Sequence, residues 1–405
     1  MVMGSLRIGI AVALALVAGS AVAQLRPQYR YPEIARDESS RAAIQLGSSP
    51  VYASPAVSAA IGQDSNVTNA NSGETDTTYQ LYGADVILDS RSNRSVWVWD
   101  LSVARGIYND SKNDDYTDSG SRMGYDVAFD SRNFLHLGWD YIRGHEGRGT
   151  TDRGVSLYPD KFFFNGVAGT YAFGAPGAQG RIEVYGSKGI KRYLNNRDTT
   201  FGSDRNLKEF GGVFYWRVAP KTYALVEGRG DNIHYLDPGS VLNSDEARYY
   251  IGAAWEATAA TTGTIKLGQV QKRFDTSGQK FEEFAYEAQI DWSPRPYSSF
   301  SIFALRTPTE STGLGEFILS DIASFVWNHQ WNSRFSTSAA IRYQRDRYQG
   351  FDRDDDTTTL GLKAYYKFRR WVTFGASWLH VNRDSSVNNF GYDRNIWLLS
   401  ADLSL

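Results

Sequence analysis

The stretch TTTLGLKAYYKFRRWVTFGASW, Thr357–Trp378, swaps apolar and polar residues at every step on both sides of a pair of arginines. In an extended chain successive side chains point to opposite faces. Leu360, Leu362, Ala364, Tyr366 and Phe368 therefore share one face, and Thr359, Gly361, Lys363, Tyr365 and Lys367 share the other. Beyond Arg369-Arg370 the apolar face resumes with Val372, Phe374, Ala376 and Trp378, opposite Thr373, Gly375 and Ser377. A period of two that restarts after a tight corner predicts a β-hairpin.

The same period recurs along the chain. Eighteen alternating runs follow one another from Val51 to the last residue, and none has helical periodicity over a useful length. Phe335, Thr337, Ala339, Ile341 and Tyr343 alternate with Ser336, Ser338, Ala340, Arg342 and Gln344. Phe284, Tyr286, Ala288, Ile290 and Trp292 alternate with Ala285, Glu287, Gln289 and Asp291, and Trp397, Leu399, Ala401 and Leu403 with Leu398, Ser400, Asp402 and Ser404. The run Phe317–Trp331 alternates imperfectly, with Asp321 among apolar neighbours on its own face.

Short and long connections take turns between the runs. The short ones include Asp89–Arg94, Asp130–Asn133, Gly174–Gly180, Ala219–Lys221, Ser293–Pro296, Asn332–Ser333 and Arg369–Arg370, most of them rich in Gly, Pro, Ser or Asn. The long ones are polar and acidic: DSNVTNANSGETDT at Asp64, NDSKNDDYTDSG at Asn109, Arg143–Pro159 and LNNRDTTFGSDRN at Leu194. More follow at Asp231–Asp245, Asp275–Gln279, Thr307–Gly315, Asp346–Asp356 and Asn382–Asn389. A soluble sandwich has no reason to sort its turns by length. An outer-membrane barrel has one, because turns are short on the periplasmic side and loops long on the extracellular side. The fold class expected is an all-β, transmembrane antiparallel β-barrel of about 18 strands, with its apolar face outward because lipid replaces the core and every backbone donor is paired around a closed ring. Aromatics at run ends (Trp292, Tyr297, Trp331, Phe335, Phe368, Trp371) suit the membrane interface.

Composition fits an exported chain. The one long apolar run, Ile8–Val22, follows Arg7 and leads into Ala21-Val22-Ala23, so residues 1–23 read as a signal peptide. Residues 24–50, mixed in proline and charge, read as a periplasmic N-terminal segment, and 51–405 as the barrel in the bacterial outer membrane. The chain has no cysteine, so neither disulfides nor thiol chemistry is expected. A net charge of −2 with interspersed signs gives no footprint for nucleic acid.

In so wide a barrel the polar inward positions are the candidates for contact with cargo. Alternation assigns Asp100, Asp140, Arg181, Glu183, Arg248, Glu256, Lys266, Glu283, Glu287, Asp291, Arg342 and Lys363 to the lumen. Arg143–Pro159 is the longest candidate for a loop folded inward as a plug or eyelet. The acidic run FDRDDDTTT at Phe351 lacks the glycine and glutamate of a calcium loop, with Thr357 and Lys363 in their places, and reads as solvated loop. His136, His145, His234, His329 and His380 lie on separate runs without a catalytic motif, so no enzyme activity, metal or cofactor is expected.

At the head of the barrel SSPVYASPAVSAAIGQDSNVT, closing on Asp64, Asn66 and Val67, resembles the opening strand of the family known as putative β-barrel porin 2, and NDDYTDSG at Asn113 and HLGWDYIRGHEGRGTTDRG from His136 fit its continuation. The resemblance implies a large outer-membrane barrel, in several cases linked to secretion of extracellular or capsular polysaccharide together with periplasmic polysaccharide-export proteins. Three functions are therefore expected in order: a passive conduit in polysaccharide export, a diffusion porin for small solutes, and a structural or adhesive surface barrel. The partners expected are outer-membrane lipids, the cargo and, on the export reading, a periplasmic export protein.

Overall fold

A computed structural model of the chain describes residues 43–258 and 260–404. The expected signal peptide (1–23) and most of the expected N-terminal segment (24–50) lie outside the described residues. Nineteen strands form one antiparallel sheet: β1 (Ile44–Gln45), β2 (Val51–Asp64), β3 (Thr77–Arg91), β4 (Ser95–Tyr108), β5 (Tyr116–Ala128), β6 (Asn133–Glu146), β7 (Asp160–Phe173), β8 (Gly180–Tyr193), β9 (Arg205–Ala219) and β10 (Thr222–Tyr235) in its first half. The second half holds β11 (Ser244–Thr258), β12 (Thr261–Phe274), β13 (Lys280–Arg295), β14 (Ser298–Glu310), β15 (Phe317–Gln330), β16 (Phe335–Gln349), β17 (Asp354–Arg369), β18 (Val372–Ser385) and β19 (Tyr392–Ser404).

Each strand from β2 pairs with the next, and β19 pairs back onto β2 from Ile396↔Asp64 to Ser404↔Ala56, which closes an 18-strand ring. Closure removes the free sheet edges that lipid could not satisfy. Where β19 stops, β1 continues along the same edge of β2, Ile44 opposite Ala53 and Gln45 opposite Tyr52.

The register carries one face around the whole ring. Ile61, Tyr82, Val103, Leu137, Val167, Val184, Phe210, Val226, Ile251, Leu267, Phe284, Ile302, Ile341, Leu362 and Leu399 are exposed on the outward face. Large apolar residues standing outward in such number fit a lipid solvent. The hairpin at Thr357–Trp378 is β17 and β18, paired Leu362↔Trp378 and Ala364↔Ala376, with a bulge at Arg369.

Several strands run further into the long connections than the sequence suggests. β6 continues to Glu146, β10 to Tyr235, β14 to Glu310 and β16 to Gln349. Near that rim both faces meet polar surroundings, so the apolar alternation that marks a lipid-facing strand fades before its backbone pairing does.

Candidate functional site

The ring parts at two seams on the long-loop side. β5 and β6 pair as far as Ser119↔Arg143, and β13 and β14 as far as Glu287↔Leu305, although all four strands continue beyond. At each seam the later strand passes inside the earlier one. His145, outward in phase on β6, stacks on inward-facing Tyr116 of β5 at 4.0 Å between ring centroids, and its Nδ1 lies 3.0 Å from Asp118. Phe317, outward in phase on β15, packs on inward-facing Phe274 and Phe281 at 6.0 and 4.8 Å. Glu310 moves inward with it and accepts from Lys272 Nζ and from the Tyr235 hydroxyl, both at 2.7 Å.

This displacement explains the imperfect run at Phe317. Phe317 and Leu319 are buried inside the mouth, and Asp321, at the foot of the seam, accepts from Arg306 Nε at 2.5 Å, the Tyr286 hydroxyl at 2.9 Å and Arg347 at 3.2 Å.

The loops that follow the two displaced strands meet across the mouth. Asp152, in the loop 147–159, is 4% exposed and accepts from the backbone N–H groups of Thr312, Gly313 and Leu314, each 2.9–3.0 Å away, and from the hydroxyls of Ser311 and Thr312. Successive amides converging on one carboxylate make an anion nest. Arg153 beside it donates to Asp160 at 2.6 Å, to the Thr312 carbonyl at 2.9 Å and to Ser203 Oγ at 3.0 Å, and lies over the Tyr193 ring. Burial works against its charge, but Tyr193 and the carboxylates of Asp160 and Glu146 hold the guanidinium above its ordinary range.

The other end of the loop is tied just as closely. Arg148 binds Asp114 and Ser111 Oγ, and its carbonyl accepts from Asn69 Nδ2 at 2.8 Å. Gly149, at φ +68°, passes so close that a Cβ there would stand 2.6 Å from the Thr68 carbonyl, so the crossing needs glycine both for its backbone angle and for its clearance. A cavity of about 270 Å³ remains beside the loop, lined by Asn69, Arg153, Val155, Asn389 and Phe390 among others.

Below this arch the inner wall is polar. On β8–β13 opposite charges interlock: Arg181 pairs with Glu183, and Arg229 with Glu227 and Glu287 at 2.9 Å each. Lys266 pairs with Glu227 at 2.8 Å and with Glu287, Arg248 with Asp231 at 3.1 Å and with Glu246, and Lys272 with Glu246 at 2.8 Å. On β3–β6 the inward face includes Asp85, Asp89, Asp100, Asp118, Asp126 and Asp140; Arg122 lies 3.5 Å from Asp140, and His136 2.7 Å from Asp126.

The profile of the family putative beta-barrel porin 2 matches residues 44–404. The chain belongs to that family. It is a family of channels and not of enzymes, and it places the barrel in the outer membrane with short turns periplasmic and long loops extracellular. Among curated proteins none matches. Solved structures similar to this porin include OccK2 (OpdF) of Pseudomonas aeruginosa, in complex with glucuronate (11% identity, TM-score 0.49, 87% of this chain and 98% of that one). Others are a BenF-like porin of Pseudomonas fluorescens Pf-5 (10%, 0.48, 88% and 99%) and the FrpB iron transporter of Neisseria meningitidis (12%, 0.43, 82% and 62%).

Of the residues singled out from the sequence, Arg181, Glu183, Arg248, Lys266 and Glu287 lie in the interlocked half of the porin's inner wall. Asp100 and Asp140 lie in the acidic half, both facing Arg122 in register. Asp291 accepts from Ser301 Oγ at 2.7 Å, and Glu283 lies 4.0 Å from Arg306. Arg342 donates to Gln344 at 2.7 Å, and Lys363 stands between Ser338 and Ser377, forming no ion pair among the described residues. Glu256 is exposed at the periplasmic end, where β11 bulges before its turn. The acidic run separates: Asp354 pairs with Arg345, Asp355 with Arg353, and Asp356 accepts from Tyr343.

Sequence reasoning missed Glu227, Arg229, Glu246, Lys272 and Asp152. The first two were legible in principle, because EGRGD at Glu227 sets Glu227, Arg229 and Asp231 on one face. Asp152 carries no local signal, since its partners lie 159 to 162 positions away.

Proposed function

We propose that the barrel is a diffusion channel for small hydrated solutes, with a preference for cations over anions. The observation that carries this reading is the arch at Asp152. It joins the loops of two hairpins on nearly opposite sides of the ring, with a cavity of about 270 Å³ beside it, and on this reading size is selected at the extracellular mouth. The cation preference follows from Asp85, Asp89, Asp100, Asp126 and Asp140, which set a negative field along one side of the water-filled vestibule.

Polysaccharide export is the competing reading, and inward aromatics such as Tyr365 could stack on sugar rings. A polymer would need the Asp152 nest and the Arg153 contacts undone for as long as it slides. Planar-bilayer recording of the full chain discriminates between the two. Small, steady, cation-selective conductance with uptake of small solutes supports the diffusion channel. Absence of open-state conductance in the purified barrel, together with loss of surface polymer in a deletion strain, would transfer the assignment to export.

A further inference from the structure

We propose that the outward face of β6–β9, at its extracellular edge, binds the phosphate groups of an outer-leaflet lipid. Arg143, Lys161, Lys188, Arg192 and Lys208 all stand on the outward phase of these four adjacent strands. Arg143, Lys161, Lys188 and Lys208 are exposed and Arg192 is half-buried. None forms an ion pair among the described residues, and no outward position of β6–β10 carries Asp or Glu. Arg192 donates only to the Lys191 and Arg205 carbonyls and to Asn206.

Register sharpens the arrangement. Lys188 stands directly opposite Lys208, and Arg143 and Arg192 both flank Phe163. Like charges directly opposed across a ladder are unfavourable unless an anion lies between them. The facing ammonium groups of Lys188 and Lys208, with the Arg192 guanidinium held at Asn206 one outward position above Lys208, form a row of cations that suits a phosphate dianion.

The depth is right for a headgroup. Lys188 is eight residues beyond Gly180, about 20 Å up a strand tilted by roughly 40°. It therefore lies near the top of an apolar band about 25 Å tall, with Lys161 and Arg192 above it. Phe210, 74% exposed, sits one outward position below Lys208, where a girdle aromatic marks the interface.

The opposite flank makes the patch specific. At the same edge β17–β19 present Asp354, Asp356, Asp384 and Asp393 outward. A general need for positive charge at this height would not leave that side acidic.

The test uses the full-length barrel in neutral detergent, titrated with bisphosphorylated lipid A, with the same lipid stripped of phosphate, and with inorganic phosphate as competitor. Heat-modifiable gel mobility confirms the folded barrel for every variant. Expected are at least tenfold tighter binding of the phosphorylated lipid, a loss of tenfold or more in Lys188→Gln/Lys208→Gln, and wild-type binding in Arg345→Gln on the far flank. The proposal is overturned if the stripped lipid binds equally, if the double variant binds like wild type, if Arg345→Gln loses as much, or if equimolar inorganic phosphate displaces the lipid.

Discussion

The two halves of the inner wall use carboxylates in opposite ways. On β8–β13 Glu183, Glu227, Asp231, Glu246 and Glu287 each meet an arginine or lysine held by the next strand or by their own. On β3–β6 the aspartates are more open to water: Asp140 lies 3.5 Å from Arg122 and Asp126 2.7 Å from His136, and these carboxylates stay about a fifth to a third exposed. Burying a carboxylate without its cation is costly, so the crowded half, where Glu227 and Glu246 are nearly inaccessible, has to be neutral. The roomier half can stay acidic because water reaches it. Neutrality there marks structure, and excess charge marks the surface a solute meets.

Breaking the arch above them gives the largest effect. Asp152→Ala removes the acceptor for three amides and two hydroxyls, and single-channel conductance is expected to rise several-fold with the strands unchanged. Conductance equal to wild type would show that the mouth is not the constriction. The acidic half comes next: Asp100→Asn/Asp140→Asn should lower the cation-to-anion permeability ratio, read from reversal potentials in a salt gradient, with less effect at high salt. The neutral half should respond in stability instead. Glu227→Ala leaves Arg229, Lys266 and the Tyr185 hydroxyl short of an acceptor, at an expected cost of roughly 3 kcal/mol in urea unfolding from vesicles, while selectivity stays as it was. A shift in reversal potential there would erase the distinction between the halves.

The smallest effect lies outside both, in the periplasmic turn after β5. Asp130 accepts from the N–H groups of Arg132 and Asn133 and from the Asn133 side chain, and these bonds hold its carboxyl below the ordinary range. A depressed carboxyl contributes stability above its unfolded pKa and loses it as pH falls through the folded one. Asp130→Ala should therefore differ slightly from wild type at pH 7 and converge with it at strongly acid pH, measured as the unfolding midpoint.

How much of this is legible in the sequence depends on the range of the interaction. Strand number, face and turn side were readable because alternation is local: Leu360 to Phe368 fix an outward face without reference to anything distant. The seams were not, because Phe317 and Leu319 keep the alternation of a lipid-facing strand while β14 and β15 lean inward over Phe281. The Arg143–Pro159 segment stood out by length, but its direction depends on Asp152 meeting residues of β14–β15's loop. Individual lumen positions followed from phase, whereas which of them interlock depends on neighbouring strands' register.

Ring closure between β2 and β19 has one further consequence. Val51, where β2 begins, and Ser404, where β19 ends, both lie at the short-turn face on neighbouring strands. Linking them and cutting the chain at another short turn, such as Arg369-Arg370, would forgo the two rungs of β1 and leave every rung of the 18-strand ring in place. The architecture is a closed loop of hairpins, and the point at which translation enters it is a matter of gene order alone.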